Sequence, residues 1–72
     1  MPKTNGTLIR QRRQERGLTA DELAARVGYS NAGSMRNIEN RNDPAAMTKL
    51  YRIARELGIA VDELLAADEK SS

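Results

Sequence analysis

The sequence predicts an all-α fold, a compact bundle of about five short helices. Three observations carry this. Strand signals are almost absent, because β-branched residues are few and scattered. Apolar residues recur three and four apart, the spacing of one helix face. Most of these runs follow a capping residue and stop at Gly. The 72 residues suffice for one small domain, and with 3% aromatic and 39% hydrophobic residues its core is aliphatic.

Residues 1–6 are expected to be a flexible N-terminus, 7–67 the folded domain and 68–72 a polar tail. The first helix runs from about Leu8 to Arg16, with Gly17 as its stop. Leu8 and Ile9 begin its core face. The remainder is polar, so it packs through the stems of its Arg residues. The second helix has the best local signature. Thr19 is an N-cap and Glu22 stands at N3, a capping box. Leu18 before the cap packs on Leu23, and Leu23, Ala24 and Val27 share one face. Gly28 ends the helix in the left-handed conformation.

After the turn Tyr29-Ser30-Asn31, a third helix is expected over about 31–40, with Ser30 or Asn31 as cap. Met35 and Ile38 face the core. At about 100° per residue, Gly33, Arg36, Asn37 and Asn40 face outward. The fourth helix is read with Asp43 as N-cap and Pro44 at N1, carrying Met47, Leu50, Ile53, Ala54 and Leu57 on one face before Gly58. The fifth is short, Val61 to Ala67, behind the poor cap Ala60. Ile59, Leu64 and Leu65 complete the apolar set.

Composition excludes several functions. There is no Cys and no His. Disulfides, thiolate chemistry and Ser–His or Cys–His catalysis are excluded, and a zinc site would have only carboxylates to use. Nothing flanks Tyr29 or Tyr51 that would activate a nucleophile, so both are read as packing. The acid pairs Asp21-Glu22 and Asp62-Glu63 stand in first turns, where the helix dipole explains them without a metal. No enzyme, metal or cofactor is implied. No apolar run approaches the roughly 20 residues of a membrane helix, and residues 1–6 lack the apolar stretch of a signal peptide. A cytoplasmic protein with no membrane partner is expected.

Charge points to a partner. Residues 1–55 carry eleven Lys and Arg against five Asp and Glu, a balance of +6, and residues 56–72 carry one against five, a balance of −4. The basic residues are mostly Arg, whose planar fork suits phosphates and guanine edges. Such asymmetry suggests a polyanion on one side; a solvated helix surface is the plainer alternative.

The segment from Gly17 to Ser30 resembles the first half of a helix-turn-helix motif of the Cro and phage-repressor type, the XRE family. Ile38-Glu39-Asn40 resembles the end of that family's recognition helix. Ile53-Ala54, Leu57-Gly58-Ile59 and Asp62-Glu63-Leu64-Leu65 resemble its last two helices. The likeness covers about residues 7–66 and implies a lambda-repressor-like bundle with the third helix in the major groove. The chain departs from the pattern in places. One residue is added between Gly28 and Ile38, one is lost between Glu39 and Pro44, and one is added between Pro44 and Gly58. Ala20 stands where the family often has Gln, and Arg12 where it has Leu.

The resemblance implies the site residues. Arg13 and Glu39 match a structural pair tying the first helix to the third, with a phosphate contact as the alternative for Arg13. Asn31, Ser34, Arg36 and Asn37 match base or phosphate contacts, against capping or solvation. Thr19 is a cap that also approaches a phosphate in the family. Asn40 and Arg41, with Asn42, hold the DNA backbone or form a solvated loop. Val61, Leu64 and Leu65 are interface candidates, with core packing the simpler account. The implied function is sequence-specific binding of double-stranded DNA by a small transcriptional regulator, as a homodimer on a two-fold site. The alternative is a protein-interaction module of the same fold, such as the antitoxin of a toxin–antitoxin pair, which Ala20 and the altered turn favour.

Overall fold

A computed structural model describes residues 3–65. Four α-helices follow one another: α1 (Gly6–Glu15), α2 (Ala20–Val27), α3 (Gly33–Arg41) and α4 (Met47–Leu57). A single 3-10 turn, Val61–Leu64, stands where a fifth helix was expected. α1 packs on α3 and α4, and α2 packs on α3 and α4. The 3-10 turn closes the bundle against α1 and α4. Ile9, Leu23, Val27, Met35, Leu50, Ile53 and Leu64 are fully buried at the centre. Among the described residues no helix is long and apolar enough to cross a membrane.

α2 forms as its sequence dictates. The Glu22 amide donates to Thr19 Oγ1 at 3.0 Å and the Thr19 amide donates to Glu22 Oε1 at 2.8 Å. Gly28 closes the helix at φ +100°, a conformation that strains any residue with a Cβ. Three cations then meet helix C-terminal carbonyls, where the helix dipole favours positive charge. Lys49 Nζ donates to the Gly28 carbonyl and Arg52 to that of Val27. Arg16 Nε donates to the carbonyl of Leu57, in the last turn of α4.

The N-terminal segment corrects the expectation of flexibility at Thr4 to Gly6. Thr4 is fully buried, its hydroxyl donates to the Asp43 carbonyl at 3.0 Å, and it forms an antiparallel bridge with Leu65. The Asn5 amide donates to the Leu64 carbonyl at 2.6 Å. Asn5 Oδ1 accepts from the Leu8 amide, so α1 begins at Gly6, earlier than Leu8. Gly6 lies against α3 so closely that a Cβ would stand 2.3 Å from the Ile38 carbonyl oxygen and 2.4 Å from that of Glu39.

α4 corrects the reading of Asp43 and Pro44 as its cap and first residue. It begins at Met47 after an extended Ala46, and no side chain caps it. Burial decides the difference. Ala45 is 3% exposed and fills the core from an extended segment, while the Asp43 carbonyl is taken by Thr4. With the start displaced, Met47 and Tyr51, read as core and packing, are 38% and 59% exposed.

The fifth helix is replaced for a related reason. Leu64 is fully buried and Leu65 turns extended to pair with Thr4, so the turn cannot continue as a helix. Glu63 compensates for the poor cap by accepting from the Ala60 amide at 3.2 Å. Ala66 and Ala67, the expected end of that helix, and the polar tail 68–72 lie outside the described residues.

Candidate nucleic-acid interface

α3 owes its orientation to one buried carboxylate. Glu39 accepts from Arg13 Nε at 2.7 Å and from Arg13 Nη2 at 2.8 Å, a two-point contact with α1. The side chains are 3% and 13% exposed respectively. Arg13 Nη1 also donates to the Leu18 carbonyl at 2.9 Å, and Arg10 Nε lies 3.6 Å from Glu39. The hydrogen bond with Glu39 raises the Arg13 pKa above its ordinary value. Arg13 thus lies in the α1–α3 seam, paired with Glu39.

With Met35, Ile38 and Glu39 turned inward, the other edge of α3 is open. Ser34, Arg36, Asn37, Asn40 and Arg41 are all exposed there, as are Thr19 at the start of α2 and Asn31 in the turn. Two grooves flank the ridge. One, between α2 and α3, is lined by Asp21, Ala24, Tyr29, Asn31 and Arg36. The other, toward the α3–α4 loop, is lined by Ser34, Asn37, Pro44 and Lys49. The structure therefore gathers Asn31, Ser34, Arg36 and Asn37 on one polar surface.

Individual residues differ in what they have left to offer. Thr19 Oγ1 is committed as an acceptor to the cap, and its hydroxyl proton remains a donor. Asn31 Oδ1 accepts from the Gly33 amide at 2.8 Å, a bond within the turn; the N-cap of α3 is Ala32, without a side-chain capping bond, in place of the expected Ser30 or Asn31. Arg36 Nη2 donates to Asp21 Oδ1 at 2.8 Å. Asn40 accepts from the Arg10 guanidinium, which joins it to the α1–α3 seam. Arg41 is the last residue of α3, where the sequence placed it beyond the helix end, and it has no ion-pair partner among the described residues. Lys49 stands 5.1 Å from the centre of the Tyr29 ring, a cation–π contact at the rim of the second groove. Burial raises the Tyr29 pKa, which keeps the phenol neutral.

Two residues have partners that the sequence did not reveal. Asn42 adopts φ +54° and its Oδ1 accepts from the Gly6 amide at 2.9 Å, fixing the exit of α3 on α1. The signal was present: Asn is among the few residues that tolerate the left-handed conformation just past a helix. Asp21, read as a dipole partner only, proves to be the acid that holds Arg36.

The arrangement is that of two helices joined by a short turn, the second carried on the surface. A family model described as helix-turn-helix matches residues 9–64. The chain belongs to the helix-turn-helix family of the Cro and phage-repressor type. A helix-turn-helix relative from Methanothermobacter thermautotrophicus, named an uncharacterized HTH-type transcriptional regulator, is 39% identical over 64 residues, 88% of this chain and 91% of that protein. The HTH-type transcriptional regulator y4dJ of Sinorhizobium fredii, also named as uncharacterized, is 32% identical over 71 residues, 99% of this chain and 91% of that one. In a solved complex of SinR protein and SinI protein, one chain matches with a TM-score of 0.76 at 25% identity. The match covers 93% of this helix-turn-helix chain and 65% of that chain.

Proposed function

We propose that this chain is a transcriptional regulator that binds double-stranded DNA and reads the major groove with α3. The observation that carries the reading is the open polar edge of α3, with Ser34, Arg36 and Asn37 exposed opposite the buried Met35, Ile38 and Glu39. A groove of about 12 Å admits one helix, and Arg, Asn and Ser supply the donors and acceptors that base edges recognise. The exposed Thr19 and Arg41 are assigned to phosphates in this reading, and the helix-turn-helix relatives named as transcriptional regulators support the role. A homodimer on a two-fold site is part of this reading, because paired helix-turn-helix units read half-sites about one helical turn apart. Methylation of guanine N7 in a duplex selected from a random pool tests the groove assignment. Loss of binding at discrete guanines is the expected result. Binding indifferent to methylation throughout the site contradicts it.

A second reading has its own observation. Met47 and Tyr51, one turn apart on α4, are exposed large apolar residues, which favours a protein-binding role alongside or instead of DNA. A chain with no salt-dependent affinity for any duplex would promote it.

A further inference from the structure

The face formed by α2 and α3 carries one acid with an unexpected partner. Asp21, in the first turn of α2, accepts from Arg36 Nη2 at 2.8 Å, and the two side chains are 69% and 59% exposed. The pair spans the groove whose walls include Ala24, Tyr29 and Asn31. Glu22, the neighbouring acid, is by contrast committed to the Thr19 cap.

The chemistry of this pair is specific. A guanidinium has five donors in one plane. Asp21 occupies one of them, which orients the plane and leaves the other edge open. Guanine offers two acceptors, O6 and N7, to such an edge, so Arg36 can meet it without leaving Asp21. A phosphate attracts Arg36 mainly by charge, and the adjacent carboxylate cancels that charge. An exposed pair is also held weakly, so Arg36 is oriented rather than locked.

We propose that Asp21 is a positioning residue for DNA recognition, which presents Arg36 to a base edge and withholds its charge from phosphates of unrelated sequence. This rests on the reading of α3 as the DNA-reading helix. The test compares wild type, Asp21→Asn, Glu22→Gln, Arg36→Ala and the Asp21→Asn/Arg36→Ala double variant. Each is titrated on a duplex selected by the wild type from a random pool and on a scrambled duplex. Asp21 is exposed, and Gln serves as well as Glu in a capping box, so the fold is retained; circular dichroism checks this.

Asp21→Asn is expected to lower the preference for the selected duplex about tenfold, or about 1.4 kcal/mol. Its log–log salt slope on scrambled DNA steepens by about 0.9, one further phosphate neutralised by the freed Arg36. Glu22→Gln removes the same charge from the same turn and leaves the preference unchanged. In the Arg36→Ala background, Asp21→Asn has no further effect on preference. An unchanged preference, an equal loss in Glu22→Gln, or a full effect without Arg36 overturns the role of Asp21. If the wild type discriminates and Asp21→Asn does so equally, only this role falls. If the wild type binds no duplex, the DNA reading falls and the role of Asp21 with it.

Discussion

At Glu39 a carboxylate that is 3% exposed meets Arg13 through two hydrogen bonds, and α3 is held on α1 by that contact. Removing Glu39 alone strands a largely buried guanidinium, a loss of about 3–5 kcal/mol by comparison with other broken buried pairs. The double variant Arg13→Ala/Glu39→Ala is expected to lose less than the sum of the singles, as read by denaturant unfolding of all three. Small additive losses would show that the pair contributes nothing. Gly6 makes a second residue-scale case. An added Cβ meets two backbone carbonyl oxygens within 2.4 Å, and backbone yields poorly. Gly6→Ala is therefore expected to destabilise by about 1–3 kcal/mol. That is a fall in Tm of about 4–8 °C per kcal/mol in a domain of this size, measurable by thermal unfolding. The pair at Arg13 and Glu39 was legible through the family resemblance. Gly6 was not, because its requirement is a neighbouring helix, and a glycine at a helix start carries no local mark of that.

At the scale of elements, α2 was legible in full, since its capping box, apolar face and terminal glycine are all local signals. The start of α4 and the fifth helix were not. Asp43-Pro44 is a good local cap signal, and it lost to the burial of Ala45 and to the hydrogen bond from Thr4. The last helix lost to the pairing of Leu65 with Thr4, two residues sixty-one positions apart. Long-range contacts of this kind leave no periodicity to read. The outward face of α3 was legible, because Met35 and Ile38 alone fix which side points inward. That face yields a separation between reading and holding. Asn37→Ala is expected to lower affinity chiefly for a selected duplex, by about 1–3 kcal/mol for a lost two-point contact. Arg41→Ala is expected to weaken selected and scrambled duplex by similar factors and to reduce the salt slope by about one. Competition titrations of both variants check this. Equal losses on both duplexes for Asn37→Ala would mean that α3 does not read sequence.

Across the whole molecule, the asymmetry of charge in the sequence is partly spent on the fold. Arg13, Arg16, Lys49 and Arg52 are engaged with Glu39 or with helix C-terminal carbonyls. Arg26 pairs with Glu56 and Arg12 with Glu15. Arg36 pairs with Asp21. A count of basic residues therefore overstates what a polyanion meets, and the balance of +6 over residues 1–55 is largely matched within the fold. The fold could be anticipated because a small aliphatic core admits few helical arrangements, whereas the engagement of each arginine depended on partners brought together only by folding. The most direct measurement is the affinity of the intact chain for selected and scrambled duplexes as salt is raised. Each phosphate neutralised contributes about −0.9 to the log–log slope. A negative slope is expected on both duplexes, with the selected one bound more tightly throughout; a slope near zero on every duplex would rule out DNA as the partner.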